Sequence, residues 1–237
     1  MPLHPAIRRP LVHARRIACE ALGIGRYSWM ALNDLDRKIA RHLDFDGGVF
    51  IEAGANDGVN QSNTYYFERM CGWKGLLVEP VPALAAACRK NRRATVVEAA
   101  LVANDIPGAT VELHVAGLMS TVTGALGDEA ATLRHVETGL AVQHLARSAP
   151  LRVPARTLSA VIDEARLAQP IDLLSLDIEG GEAAALRGLD FDRHAPRHIC
   201  VEARDEAAIG AVLEPRYRLV EVLADLGTHR DLFYALR

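Results

Sequence analysis

Seven short apolar runs rich in β-branched residues recur along the chain: GVFIEAG (48–54), GLLVEP (75–80), ATVVEAALV (94–102), IDLLSLDIEG (171–180), HICVEA (198–203), YRLVEVLA (217–224) and DLFYAL (231–236). Each is too short for a helix and apolar on both faces, the pattern of a strand covered by helices on either side. Helix-like stretches separate many of them, at Ser62 to Met70, Pro82 to Arg92, Gly181 to Leu189 and Asp205 to Leu213. Such alternation predicts right-handed βαβ crossovers and a mostly parallel, doubly wound α/β sheet. Only six residues lie between Ala224 and Asp231, too few for a crossover helix, so the last two strands must form an antiparallel hairpin. A chain of 237 residues, half of them apolar, suits one such domain.

Two regions fall outside the simple alternation. Leu32, Leu35, Ile39 and Leu43 recur at helical spacing and predict an amphipathic helix ending near Asp44 to Gly48. Before it, residues 1–30 hold Arg8, Arg9, Arg15, Arg16 and Arg26 against Glu20 alone. This basic arm reads as a solvated or subunit-packing helix, or as a contact for a membrane surface or polyanion. The domain proper is expected over 31–237, with an insert at about 103–157 between the third and fourth strands. There a hairpin (Thr110 to Ala116, Met119 to Thr123), a helix over Glu129 to Ala146 and a strand in LRVPARTL are predicted, followed by the helix SAVIDEARL.

The formal net charge of -3 and a pI near 6.3 describe no overall attraction to nucleic acid. Cys19, Cys71, Cys88 and Cys200 are scattered, without zinc-ligand spacing, and read as small apolar side chains in a reducing compartment. The chain has no apolar run long enough to span a bilayer and no secretory signal pattern. A cytoplasmic protein without stable membrane insertion is expected, with room for a homodimer.

The carboxylates concentrate where the strands end. Glu52 and Asp57 close the first run, Glu79 the second, Glu98 lies in the third, Asp177 and Glu179 close the fourth and Glu202 the fifth. In a parallel sheet these positions share one edge, where ligands bind. Like charges gathered in a pocket are costly unless a cation or several hydrogen-bond donors occupy it. The loop EAGANDG (52–58) has Gly54 and Gly58 but Asn56 between them, and Asp57 would repel a pyrophosphate. Dinucleotides are thereby disfavoured. S-adenosyl-L-methionine, cationic at sulfonium and α-ammonium and free of phosphate, fits better, with Glu79, 25 residues after Gly54, placed to accept from its ribose diol. Asp177, Glu179 and Glu202 are candidate bases, with no metal required; a metal held by the same three is the alternative. His229, in the last turn, is a further candidate base.

The blocks IEAGANDGVNQSNTYYFE, GWKGLLVEPVPALAAACRKNRR, VPARTLSAVIDEA and IDLLSLDIEGGEAAALRGLDF, in this order, resemble the FkbM-family methyltransferases from about Leu32 to the C-terminus. The resemblance implies a Rossmann-like class I methyltransferase with a seven-stranded sheet and a reversed last strand. It implies S-adenosylmethionine as methyl donor and a hydroxyl on a sugar, glycan or secondary metabolite as acceptor, not nucleic acid. Carried over by position, Glu52, Gly54, Asn56 and Gly58 form the first cofactor loop, with Asp57 added as a cofactor contact by its charge, and Asn63 lies in the stretch that opens the next helix. Glu79 is the ribose acid, Glu98 and Ala99 flank adenine, and Asp177 lies near the methyl group. Other chemistries consistent with the blocks are a metal-assisted O- or N-methyltransferase and a cofactor-binding scaffold without activity.

Overall fold

The computed structural model describes residues 5–104, 108–147 and 149–237. In chain order the elements are α1 (Pro5–Ala21), α2 (Leu35–Ala40), β1 (Val49–Ala53), α3 (Tyr65–Met70), β2 (Lys74–Val78), α4 (Pro82–Asn91), β3 (Thr95–Val97) and β4 (Ala100–Leu101). The insert then contributes β5 (Thr110–His114), β6 (Thr121–Val122), α5 (Glu129–Gln143) and β7 (Leu151–Arg156). The second half runs α6 (Leu158–Ala165), β8 (Leu173–Leu176), α7 (Glu182–Arg187), α8 (Phe191–His194), β9 (His198–Ala203), α9 (Glu206–Leu213), β10 (Tyr217–Asp225) and β11 (Arg230–Leu236).

The main sheet has seven strands in the order β3-β2-β1-β8-β9-β11-β10. All neighbours pair in parallel except those of β11, which runs against both β9 and β10. This is the doubly wound, seven-stranded sheet with a reversed last strand that the sequence predicts. The order changes direction between β1 and β8, so the loops leaving these two strands diverge and open a crevice at their carboxyl ends.

Adjacent residues of each central strand feed opposite layers, as the two-residue period requires. Ile51, Leu76, Leu174, Ile199 and Val201 join a core with Leu158, Val161, Leu186 and Leu213 from α6, α7 and α9. Phe50, Leu77, Leu173, Cys200 and Phe233 join a second core with Ile39, Phe67, Trp73 and Cys88 on the opposite face.

Two expectations are corrected. The run 94–102 is not one strand: it breaks after β3, and β4 pairs with β7 in a second sheet of order β4-β7-β5-β6. The insert thus forms a sheet of its own beside the main one. The helix expected over 32–43 is also shorter. Asn33 and Asp34 adopt left-handed backbone angles (φ 54 and 55), and the buried Asp36 carboxylate accepts from the N–H groups of Met30, Ala31 and Arg37. The polar residues break the apolar pattern into an irregular entry and a helix of six residues.

Candidate active site

A cavity of about 560 Å³ lies in the crevice between the β1, β2 and β8 ends and the inserted hairpin. Its floor is set by a close approach of two loops. Gly54 has φ +84, and a Cβ there would lie 1.7 Å from the Asp177 carbonyl oxygen. Only glycine satisfies both the left-handed backbone and this contact.

Glu79 joins the first loop to the second. Its Oε2 accepts from the Asn56 N–H (2.8 Å) and its Oε1 from the Val81 N–H (2.9 Å). Burial pushes its carboxyl up to about 7, against the pull of those two donors. Asn56, itself left-handed at φ 51, Glu79 and Ala99 all line the cavity.

The other residues expected in the first loop face elsewhere. Asp57 Oδ1 accepts from the N–H groups of Val59 and Asn60 at 2.8 and 2.7 Å and caps the turn. Gly58 backs onto Cys88 and Arg92. Glu52 is buried beneath the loop, accepting from Ser62 Oγ, the Asn63 N–H and Thr64 Oγ1. It also pairs at 3.4 Å with the fully buried Arg92, which pairs in turn with Glu68 at 3.1 Å. Asn63 donates from Nδ2 to Ser175 Oγ. The Glu98 side chain reaches Arg89 at 3.4 Å. Thus Glu52, Asp57, Gly58 and Asn63 support the loop from behind, and the negative charge at the cavity comes from later strands.

The turn after β8 carries that charge. Glu179 and Gly180 are left-handed (φ 59 and 107). Glu182, in the first turn of α7, folds back so that its carboxylate accepts from the N–H groups of Ile178 (2.8 Å) and Gly180 (3.1 Å). Asp177 opens into the cavity and accepts no hydrogen bond among the described residues. Desolvation within the crevice and the charges of Glu202, Glu179, Glu182 and Asp231 push its carboxyl above the usual carboxylate range. Oxygens of Asp177, Glu182 and Glu202 lie within 4.8 Å of one another.

Compensation comes from Arg204. It donates from Nη2 to Glu179 Oε2, and its Nε lies 2.8 Å from Glu202 Oε1. Burial and the neighbouring Glu179 nevertheless push Glu202 up to about 8. His135, from α5 of the insert, lies 3.1 Å from Glu179. His229 lies 3.4 Å from Glu202, and burial together with the Arg204 charge pushes its imidazole below its ordinary value. Thr121 Oγ1 donates to the Glu179 carbonyl at 2.8 Å, tying the inserted sheet to this turn.

Sequence reasoning missed Arg204 and His135. Arg204 directly follows the HICVEA run, so its place at the strand end was readable although its pairing was not. His135 carries no local signal, because its role depends on how the insert folds over the edge.

The cavity wall favours a cationic ligand. Glu79, Asp177, Glu179 and Asp205 line it, with Arg187 as the one Lys or Arg among its lining residues. Acids against a glycine floor suit a sulfonium and an ammonium group and would repel a pyrophosphate, so S-adenosylmethionine fits the residues present.

A family model described as the methyltransferase FkbM domain matches residues 52–225. Similar solved structures include a TehB-like SAM-dependent methyltransferase from Corynebacterium glutamicum, 11% identical with a TM-score of 0.44, covering 99% of this chain and 100% of that one. Methyltransferase FkbM from Methylobacillus flagellatus is 14% identical with a TM-score of 0.47, over 80% of this chain and 44% of that one. A SAM dependent methyltransferase from Aquifex aeolicus is 12% identical with a TM-score of 0.44, over 99% of both chains. No curated protein matches the chain.

Proposed function

The chain belongs to the FkbM methyltransferase family, and from that premise we propose that it transfers a methyl group from S-adenosylmethionine to a hydroxyl of a sugar, glycan or secondary metabolite. The observation that supports this most is Asp177: an unpaired carboxylate of raised pKa, open to the cavity beside the Gly54 floor. Glu79 would hold the ribose diol, Ala99 would border the adenine and Asn56 would line the approach. When bound, the cofactor supplies a methyl group already activated on its sulfonium.

The protein then has two tasks, to align the acceptor oxygen and to remove its proton. Alignment alone is worth several kcal/mol in well-oriented reactions. Asp177 is placed to take the hydroxyl proton, and its raised pKa makes it a stronger base than a solvated carboxylate. Glu202 and Glu179 contribute to that shift through their charge, while Arg204 offsets part of the charge of Glu202. The insert, contributing Leu118, Ser120 and Thr123 from the residues around β6 to the cavity, would form the acceptor-side wall.

The test is calorimetry with S-adenosylmethionine beside a methyl-release assay on hydroxyl acceptors. Asp177→Asn is expected to keep cofactor binding and lose turnover. Full turnover in both Asp177→Asn and Glu179→Gln, with cofactor still bound, would show the carboxylate assignment to be wrong. The approach of Asp177, Glu182 and Glu202 favours a second reading, metal-assisted transfer. Activity abolished by chelator and restored by Mg²⁺ would select it. Glu182 is already committed to two backbone N–H groups and Glu202 lies against Arg204, which lowers what they can offer an ion.

A further inference from the structure

The N-terminal helix α1 is attached the wrong way round for an ordinary amphipathic helix. Over residues 11–21, where side-chain burial is described, the buried or half-buried residues are Arg16, Cys19 and Glu20, a strip at i, i+3 and i+4. Glu20 accepts from Ser28 Oγ (3.0 Å) and Tyr65 Oη (3.2 Å) and pairs with Arg69 (3.1 Å). Arg16 lies over the Tyr65 ring at 4.8 Å and contacts His13 Nδ1 at 3.0 Å. The polar side therefore docks on the protein. The opposite side carries Leu11, Ala14, Ala18 and Ala21, all exposed and spaced i, i+3, i+7 and i+10, with Ile17 exposed at its margin and Leu22 exposed directly after the helix. Leu11 is 52% exposed, Ile17 44% and Leu22 76%.

A water-soluble helix normally buries such a stripe. Here the fold fixes it outward, and it is bordered by positive charge. Arg15 and Arg26 are exposed and both lie over the ring of Tyr27, at 4.2 and 5.6 Å from its centre. The first 30 residues hold five arginines and one acid in a chain of net charge -3, so the rest of the protein has the opposite sign. We propose that this face of α1 docks the enzyme reversibly on an anionic lipid surface, its apolar stripe entering the headgroup boundary and its arginines meeting lipid phosphates. A second copy is the poorer occupant, because a two-fold contact through this stripe brings equally basic arms together.

The experiment is co-sedimentation of the purified full chain with phosphatidylcholine vesicles, with and without one quarter phosphatidylglycerol, and light scattering of the same protein alone. An arginine near an anionic surface contributes about 1 kcal/mol, or about fivefold in partition. Arg15 and Arg26 together should therefore favour the anionic vesicles by about 25-fold, and most of the preference should disappear at about 1 M salt. Leu11→Glu with Ala18→Glu should reduce binding at least about tenfold with the melting temperature unchanged, since both side chains face solvent. Arg15→Gln with Arg26→Gln should remove the lipid preference in a protein that still binds cofactor. Equal binding to both vesicle types, absence of binding to either, or a dimer that the Leu11 variant splits would each overturn the proposal.

Discussion

Replacing Asp177 by Asn should stabilise the protein at high pH while disabling it. Two unit charges within the 4.8 Å that spans Asp177, Glu182 and Glu202 repel by about 3.5 kcal/mol or more at an effective dielectric of about 20. Asp177 is open to solvent on its cavity side and Arg204 offsets part of the charge, so the net relief is about 1–2 kcal/mol. In a chain of this size that corresponds to about 2–8 °C in Tm. The pH dependence has a definite sign. Glu202 is raised from 4.5 to about 8 and Asp177 is raised as well, so the folded protein holds protons that the unfolded chain has released. The cluster's contribution to stability is therefore lost as pH rises from about 4.5 through about 8. The Asn variant should melt with the wild type near the bottom of this window and above it at the top. Saturating S-adenosylmethionine should stabilise the wild type more than the variant at high pH, because a bound cation relieves the same repulsion. Methyl transfer should fall by about 10²–10⁴-fold, the usual worth of a positioned base. Thermal melts across this pH range, with and without cofactor, check each part. A Tm difference that does not change with pH, or a variant less stable than wild type at the alkaline end, would refute the charge-cluster account.

Other perturbations probe different parts of the site. Glu79→Gln should weaken cofactor binding by about 10- to 150-fold, since a lost charge-assisted hydrogen bond costs about 1.5–3 kcal/mol. It should also abolish any strengthening of wild-type affinity as pH rises through about 7, where Glu79 ionises; calorimetry at two pH values measures both. Gly54→Ala adds about 1–2 kcal/mol of left-handed backbone strain to a Cβ placed against the Asp177 carbonyl. It should lower Tm and eliminate cofactor binding together. Arg92→Met leaves Glu52 and Glu68 buried without their shared cation, and such losses cost about 3–5 kcal/mol in urea denaturation. Its effect on affinity should follow from loss of the loop's support, since Arg92 lies behind the cavity.

The sheet was legible because its strands declare themselves locally. Phe50 and Ile51, Leu76 and Leu77, and Leu173 and Leu174 are adjacent apolar pairs that only a two-sided core can bury. The reversed hairpin followed from chain length alone. The break at Glu98 was not legible, because ATVVEAALV is uniformly strand-forming and its division depends on β7, more than fifty residues later, pairing with Ala100 and Leu101. Local propensity reports that a segment wants a partner strand. It does not report which sheet supplies one.

The same distinction separates the acids of the site. The composition of EAGANDG predicts a loop that presents Glu52 and Asp57 to a cation, yet both carboxylates accept from the loop itself. A short loop of this kind carries many unpaired backbone N–H groups, and the nearest acceptor in sequence satisfies them first. Asp177 escapes that fate because Glu182 takes the N–H groups of the turn that follows it. Its carboxylate stays free because a neighbour five residues on does the capping. Spacing therefore identified the acids at the sheet edge, and competition for backbone donors decided which of them the cavity receives. On this account Glu182→Ala should leave Asp177 free to fold back onto the Ile178 or Gly180 N–H, lowering its pKa and its strength as a base. The acidic limb of the pH–rate profile should then move to lower pH as the maximum rate falls. A fall in rate with that limb unmoved would mean that Glu182 acts on the shape of the turn alone.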